Sequence, residues 1–77
     1  MSITPAQCRG ARAMLKMSRD ALAKAAGVGG RTVVDFESGL RTPIKSTHAA
    51  IQSALEKAGV EFTNGDQPGV RLRKLGT

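Results

Sequence analysis

RDALAKAAGVGGRTVVDFES, running from Arg19 to Ser38, is the stretch on which the reading of this chain turns. Leu22, Ala23 and Ala26 fall on one helical stripe, and Ser18 stands before them as an N-cap residue. Gly27 follows where a left-handed residue ends a helix without strain. Val28 then plugs the turn from inside, and a third helix is expected from Gly30 to Ser38, with Gly39 as its stop. Ala23 is small enough to let the two helices cross closely, while Val33 and Phe36 anchor the second of them. Two short helices joined by a tight glycine-containing turn form the helix-turn-helix pattern.

Stepping 100° per residue along Gly30–Ser38 gathers Val33, Phe36 and Glu37 on one side. Arg31, Asp35 and Ser38 gather on the opposite side, with Thr32 and Val34 flanking. The first side reads as core and the second as an outward face.

Upstream, Thr4, Pro5 and Gln7 form a capping box with proline at the first helical position, so a first helix is expected over Pro5–Lys16. Cys8, Ala11 and Leu15 face the core, and Gly10 weakens the helix slightly. Downstream, Arg41-Thr42-Pro43 reads as a connector. A fourth helix is expected from Ser46 or Thr47 to Ala58, with Ile51, Ala54, Leu55 and Ala58 as its apolar stripe. After Gly59 the period changes to alternation, in Val60-Glu61-Phe62 and again in Val70-Arg71-Leu72-Arg73. Asn64-Gly65 and Pro68-Gly69 between them are turn signals. A hairpin over residues 60–74 is expected, and because an isolated hairpin is marginal it must pack on the fourth helix or pair across a subunit boundary. The expected fold is mainly α: four helices over residues 4–58 and a C-terminal β-hairpin, in one domain spanning 1–77.

Twelve Lys and Arg stand against six Asp and Glu, a net charge of +6 and a pI near 10.5. Such a balance favours nucleic acid first and an anionic membrane surface second. The basic residues are dispersed rather than gathered opposite bulky apolar ones, which argues against the membrane surface, and no apolar run approaches the roughly 18 residues of a span. Phe36 and Phe62 are the only aromatics, and neither lies in a basic cluster. Single-stranded nucleic acid is usually gripped by stacking on aromatic rings, so duplex DNA is the expected partner. Cys8 is the only cysteine, which allows no internal disulfide and fits a cytoplasmic protein. His48 is the only histidine, no Cys/His set has metal-ligand spacing, and Gly27–Gly30 lacks the Gly-Lys-Ser/Thr of a phosphate loop. Neither catalysis, cofactor nor metal is expected.

On the outward face, Arg31 is the first candidate for a base contact, because a guanidinium pairs two-pronged with guanine O6 and N7. Asp35, four residues on, is placed to pair with Arg31 or to accept from cytosine N4. Val34 can touch a thymine methyl. Thr32 can bond a phosphate, as can Arg19 where the second helix opens. Lys24 and Lys45 are further exposed cations. Glu37 lies on the core side and needs a partner there, for which Arg12 on the first helix is the candidate.

The runs ALAKAAGV (21–28) and DFESGLRTP (35–43) are similar to those of the lambda-repressor-like (XRE, Cro/cI-type) helix-turn-helix regulators, and the resemblance extends over roughly residues 4 to 58. The tail AGVEFTNGDQPGVRLRK (58–74) also resembles that of short stand-alone regulators of this kind. The resemblance implies a sequence-specific transcriptional regulator, more often a repressor, that binds a roughly palindromic operator as a homodimer. It implies phosphate contacts at Arg19, Ser38 and Arg41, and a structural ion pair between Arg12 and Glu37. Family members often carry a long polar base reader, such as glutamine, at the position of Gly30. Some members are antitoxins that also hold a toxin, which leaves a protein partner as an alternative; a non-DNA interaction module is another.

Overall fold

The Thr4 hydroxyl accepts from the Gln7 backbone N–H at 3.1 Å, and the Gln7 side-chain oxygen accepts from the Thr4 N–H at 2.8 Å. This reciprocal cap opens α1, Pro5–Leu15, in the computed structural model, which describes residues 2–63 and 66–73. The helix ends one residue before the expected Lys16, which takes the left-handed conformation at φ 54° and turns the chain. The α2 helix, Arg19–Ala26, is capped by Ser18, whose hydroxyl accepts from the Ala21 N–H at 3.0 Å. Gly27 at φ 71° closes it, and the Val28 N–H returns to the Ala23 carbonyl at 2.9 Å. Three residues, Gly27, Val28 and Gly29, separate Ala26 from α3, Gly30–Glu37, which Ser38 caps.

The α4 helix spans Lys45–Ala58, starting before the hydroxyl residues Ser46 and Thr47 expected to open it. Ile44 is its N-cap and offers no side-chain bond. Tertiary contacts anchor the first turn instead. The His48 ring Nε2 donates to the Ile3 carbonyl at 2.7 Å, and the ring meets Phe36 edge-on at 4.7 Å. Ala58, expected on the apolar stripe, is exposed. The chain turns at Gly59 (φ 121°), and Val60, fully buried, fills the core position beyond it.

The hairpin pairs β1, Val60–Thr63, antiparallel with β2, Gly69–Leu72, in the register Val60↔Leu72 to Thr63↔Gly69. The Asn64-Gly65 turn and position 74 lie outside the described residues. Val60, Phe62 and Val70 pack on the helical core, while Glu61 and Arg71 pair across the strands at 3.3 Å. The hairpin packs on α1 as well as on the expected α4. The Gln7 side-chain amide reaches it, donating to the carbonyls of Thr63 (3.1 Å) and Gly69 (2.9 Å).

Leu22, Val33, Phe36, Ile51, Leu55 and Val60 form the centre of the core, closed from the N-terminal side by Ile3. Burying each of the larger side chains stabilises the fold by about 1.5–3 kcal/mol relative to leaving it in water. The result is a mainly α-helical body, four helices and a hairpin, with the general shape of helix-turn-helix folds. Among the described residues no helix is long and apolar enough to cross a membrane.

Candidate nucleic-acid interface

The orientation of α3 follows from three side chains. Val33, Phe36 and Glu37 are 0%, 2% and 4% exposed, which fixes one side of the helix to the core. Helical geometry then turns Arg31 outward, and its side chain is 81% exposed. Asp35, one turn later, is only 15% exposed, and its Oδ1 forms an ion pair with Arg31 Nε at 3.1 Å. Val34 and Thr32 are half-buried flanks, and Ser38 is exposed. Gly30 faces Asp20, whose Oδ1 lies 3.5 Å from where a Cβ on Gly30 would stand. No side chain reaches out from position 30 itself.

A cleft flanks α3 on each side. One is lined by Arg9, Arg12, Arg19, Val34, Glu37 and Ser38, and so joins α1, the start of α2 and the end of α3. The other includes Thr32, Arg41, Thr47, Val28 and Ile44, between the turn that precedes α3 and the connector that follows it. The four residues expected to hold phosphates thus fall into two pairs, Arg19 with Ser38 and Thr32 with Arg41. Lys24 and Lys45 are exposed on the surface and line neither cleft.

Glu37 is the one carboxylate lining these clefts, and it is occupied. Arg12 donates to it twice, Nε to Oε2 and Nη2 to Oε1, each at 2.7 Å. The remaining Arg12 Nη1 donates to the Met17 carbonyl at 3.0 Å. Cys8 Sγ donates to Glu37 Oε2 at 3.1 Å, and the Arg9 guanidinium donates to the Glu37 backbone carbonyl. Burial by itself would push the Glu37 carboxyl up. The Arg12 and Cys8 hydrogen bonds and the charges of Arg12 and Arg19 outweigh it and hold the group below its ordinary value. The same carboxylate raises the Arg12 guanidinium, chiefly through the hydrogen bonds between them. Burial and the hydrogen bond to Glu37 push the Cys8 thiol up to about 12, so it stays protonated as a donor. The end of α3 is therefore bolted to α1 through one satisfied carboxylate, and the cleft above it keeps a positive balance.

Two contributors here carry no sequence signal as site residues. Arg9 lines the basic cleft and ties α1 to the α3 terminus, yet by sequence it is one more cation on the first helix. Cys8 reads as a small apolar residue, and its thiol is the third donor to Glu37. No buried side-chain nitrogen or oxygen among the described residues lacks a partner. The arrangement can grip an extended polyanion at two flanking points while presenting a short helical face between them.

No protein-family model matches the chain, and no curated protein matches it.

Proposed function

We propose that the chain is a sequence-specific duplex-DNA-binding transcriptional regulator of the lambda-repressor-like kind. It acts as a homodimeric repressor in the cytoplasm, on a roughly palindromic operator. The observation that carries this reading is the placement of Arg31. Its side chain is exposed on the side of α3 opposite the buried Val33, Phe36 and Glu37, between a cleft holding Arg19 and one holding Arg41. In this reading α3 enters the major groove, Arg31 and Val34 meet base edges, and Arg19, Thr32, Ser38 and Arg41 hold phosphates on either side.

The net charge of +6 supports an anionic partner, and the near absence of aromatic rings supports duplex over single strands. A body of 35 × 28 × 20 Å is of the size at which two copies, side by side on one face of DNA, present recognition helices about 34 Å apart. Repression then follows from occupancy, since a bound dimer obstructs polymerase. The reading assigns the chain no catalytic step and no cofactor.

The test is selection of bound duplexes from a random library, followed by titration of the best site at several salt concentrations. The expected outcome is a two-fold-symmetric motif. With about four phosphates neutralised per subunit, the log–log salt slope should be on the order of −7. Equal affinity for every duplex would sink the reading.

A further inference from the structure

Asp35 is the one carboxylate on the α3 segment besides the buried Glu37, and a carboxylate facing DNA opposes binding unless it has a task. Its geometry indicates one. The Asp35 side chain is mostly sheltered, at 15% exposed, whereas the Arg31 side chain beside it is 81% exposed. The ion pair between them sets Asp35 Oδ1 3.1 Å from Arg31 Nε. Among the described residues no guanidinium nitrogen of Arg31 makes a hydrogen bond. With the carboxylate set against Nε, the two terminal Nη groups of this exposed side chain remain as a side-by-side pair of donors. That is the edge of a guanidinium that meets guanine O6 and N7 end-on.

Resting on the DNA-binding reading above, we propose that Asp35 is a positioning residue that orients Arg31 toward a guanine and does not itself read a base. The i,i+4 spacing on α3 places the acceptor one turn away, where it limits the rotation of the long arginine before DNA arrives. It also neutralises Asp35, which would otherwise face the groove as an unpaired negative charge. Specificity for guanine at this position then depends on two residues, only one of which touches the base.

The experiment uses the full chain and a random duplex library. Selection with wild type and with Arg31→Ala locates the base pair whose guanine preference Arg31 sets. Binding constants are then measured for all four bases at that pair with wild type, Asp35→Asn, Asp35→Ala, Arg31→Ala and the Arg31→Ala/Asp35→Ala double variant, at one salt concentration and again across a salt series.

Asp35→Ala is expected to cut the guanine preference about tenfold, within the range that one bidentate contact supplies. Asp35→Asn, which keeps an acceptor for Nε, is expected to lose less. The salt slope should stay unchanged, and removing Asp35 should do nothing further to base preference once Arg31 is gone. A purely structural role would lower affinity for every sequence alike. The proposal is overturned if Asp35→Ala alters preference at a base pair that Arg31→Ala leaves untouched, or acts equally with and without Arg31. A wild-type motif that Arg31→Ala weakens uniformly also overturns it, while leaving the DNA-binding reading intact. If wild type selects no motif at all, both fall together.

Discussion

Val70 Cγ1 lies 3.2 Å from where a Cβ on Gly10 would stand, so the first helix and the last strand meet at a residue with no side chain. Gly10→Ala gains helix propensity of up to about 1 kcal/mol and loses some of it to that tight approach. The net effect should be small. Gly10→Val places two further carbons against Val70 and should cost about 1–3 kcal/mol by overpacking. Urea unfolding of the two variants measures the contrast. Equal stability would mean that the hairpin does not press on α1 at this point.

Gln7 is 5% exposed and serves both ends of its surroundings, capping Thr4 and donating to the carbonyls of Thr63 and Gly69. Gln7→Glu keeps the cap but sets a carboxylate against two carbonyl oxygens. Amide hydrogen exchange should then accelerate in β1 and β2 well before it does in α2 and α3. Each carbonyl left without its donor should cost about 1–3 kcal/mol. Uniform acceleration across the whole chain would show that the amide has no local hold on the hairpin.

Acid should unfold the protein through Glu37. Its folded carboxyl is held below the ordinary 4.5, so its contribution is complete above that value and is lost as pH falls through the lower, folded one. Glu37→Gln should flatten the loss of stability in this acid window. At neutral pH, Arg12→Ala should cost about 3–5 kcal/mol, because it strands a buried carboxylate. The urea midpoint followed against pH, for wild type and both variants, tests both statements.

The Cys8 thiol is fully buried and pushed up to about 12. A disulfide reagent at pH 8 should therefore label it only as fast as the chain opens, and at once in denaturant. A raised folded value also means that the contribution of the thiol is complete below the ordinary 9.0 and declines as pH rises from there toward 12. Labelling faster than unfolding would contradict the burial.

Arg19→Ala and Arg41→Ala should each weaken binding to all duplexes by similar factors. Each should also lower the salt slope by about one unit, since one phosphate fewer is neutralised. A change in the selected motif with either variant would make it a base reader instead of a phosphate ligand. Titrations on the wild-type site and on a scrambled duplex distinguish the two.

The face of α3 is legible in sequence because a 3.6-residue period alone sorts Val33, Phe36 and Glu37 from Arg31. The turn is legible because Gly27 and Ser18 act on their immediate neighbours. What the sequence hides depends on residues brought together from afar. Gly10 reads as a weak point in a helix until the strand sixty residues later is laid against it. Lys16 has a helix-forming side chain, yet the exit from α1 requires a left-handed residue there. The start of α4 is displaced from Ser46 because His48 is tied to Ile3 and Phe36, and that tertiary tie outweighs the preference for a hydroxyl cap. At the candidate site, the clefts that join Arg9 to Arg19 and Thr32 to Arg41 exist only once the helices have packed.

The bond from Gln7 to Gly69 also sets an order of events at the ribosome. Gln7 is translated with the first helix, and its acceptors, the carbonyls of Thr63 and Gly69, arrive with the hairpin, 56 and 62 residues later. Until the hairpin leaves the exit tunnel, the amide lacks both of these acceptors and the flank of α1 that the hairpin covers stays open. Limited proteolysis of ribosome-stalled chains of increasing length should show protection of α1 appearing only once the hairpin has emerged.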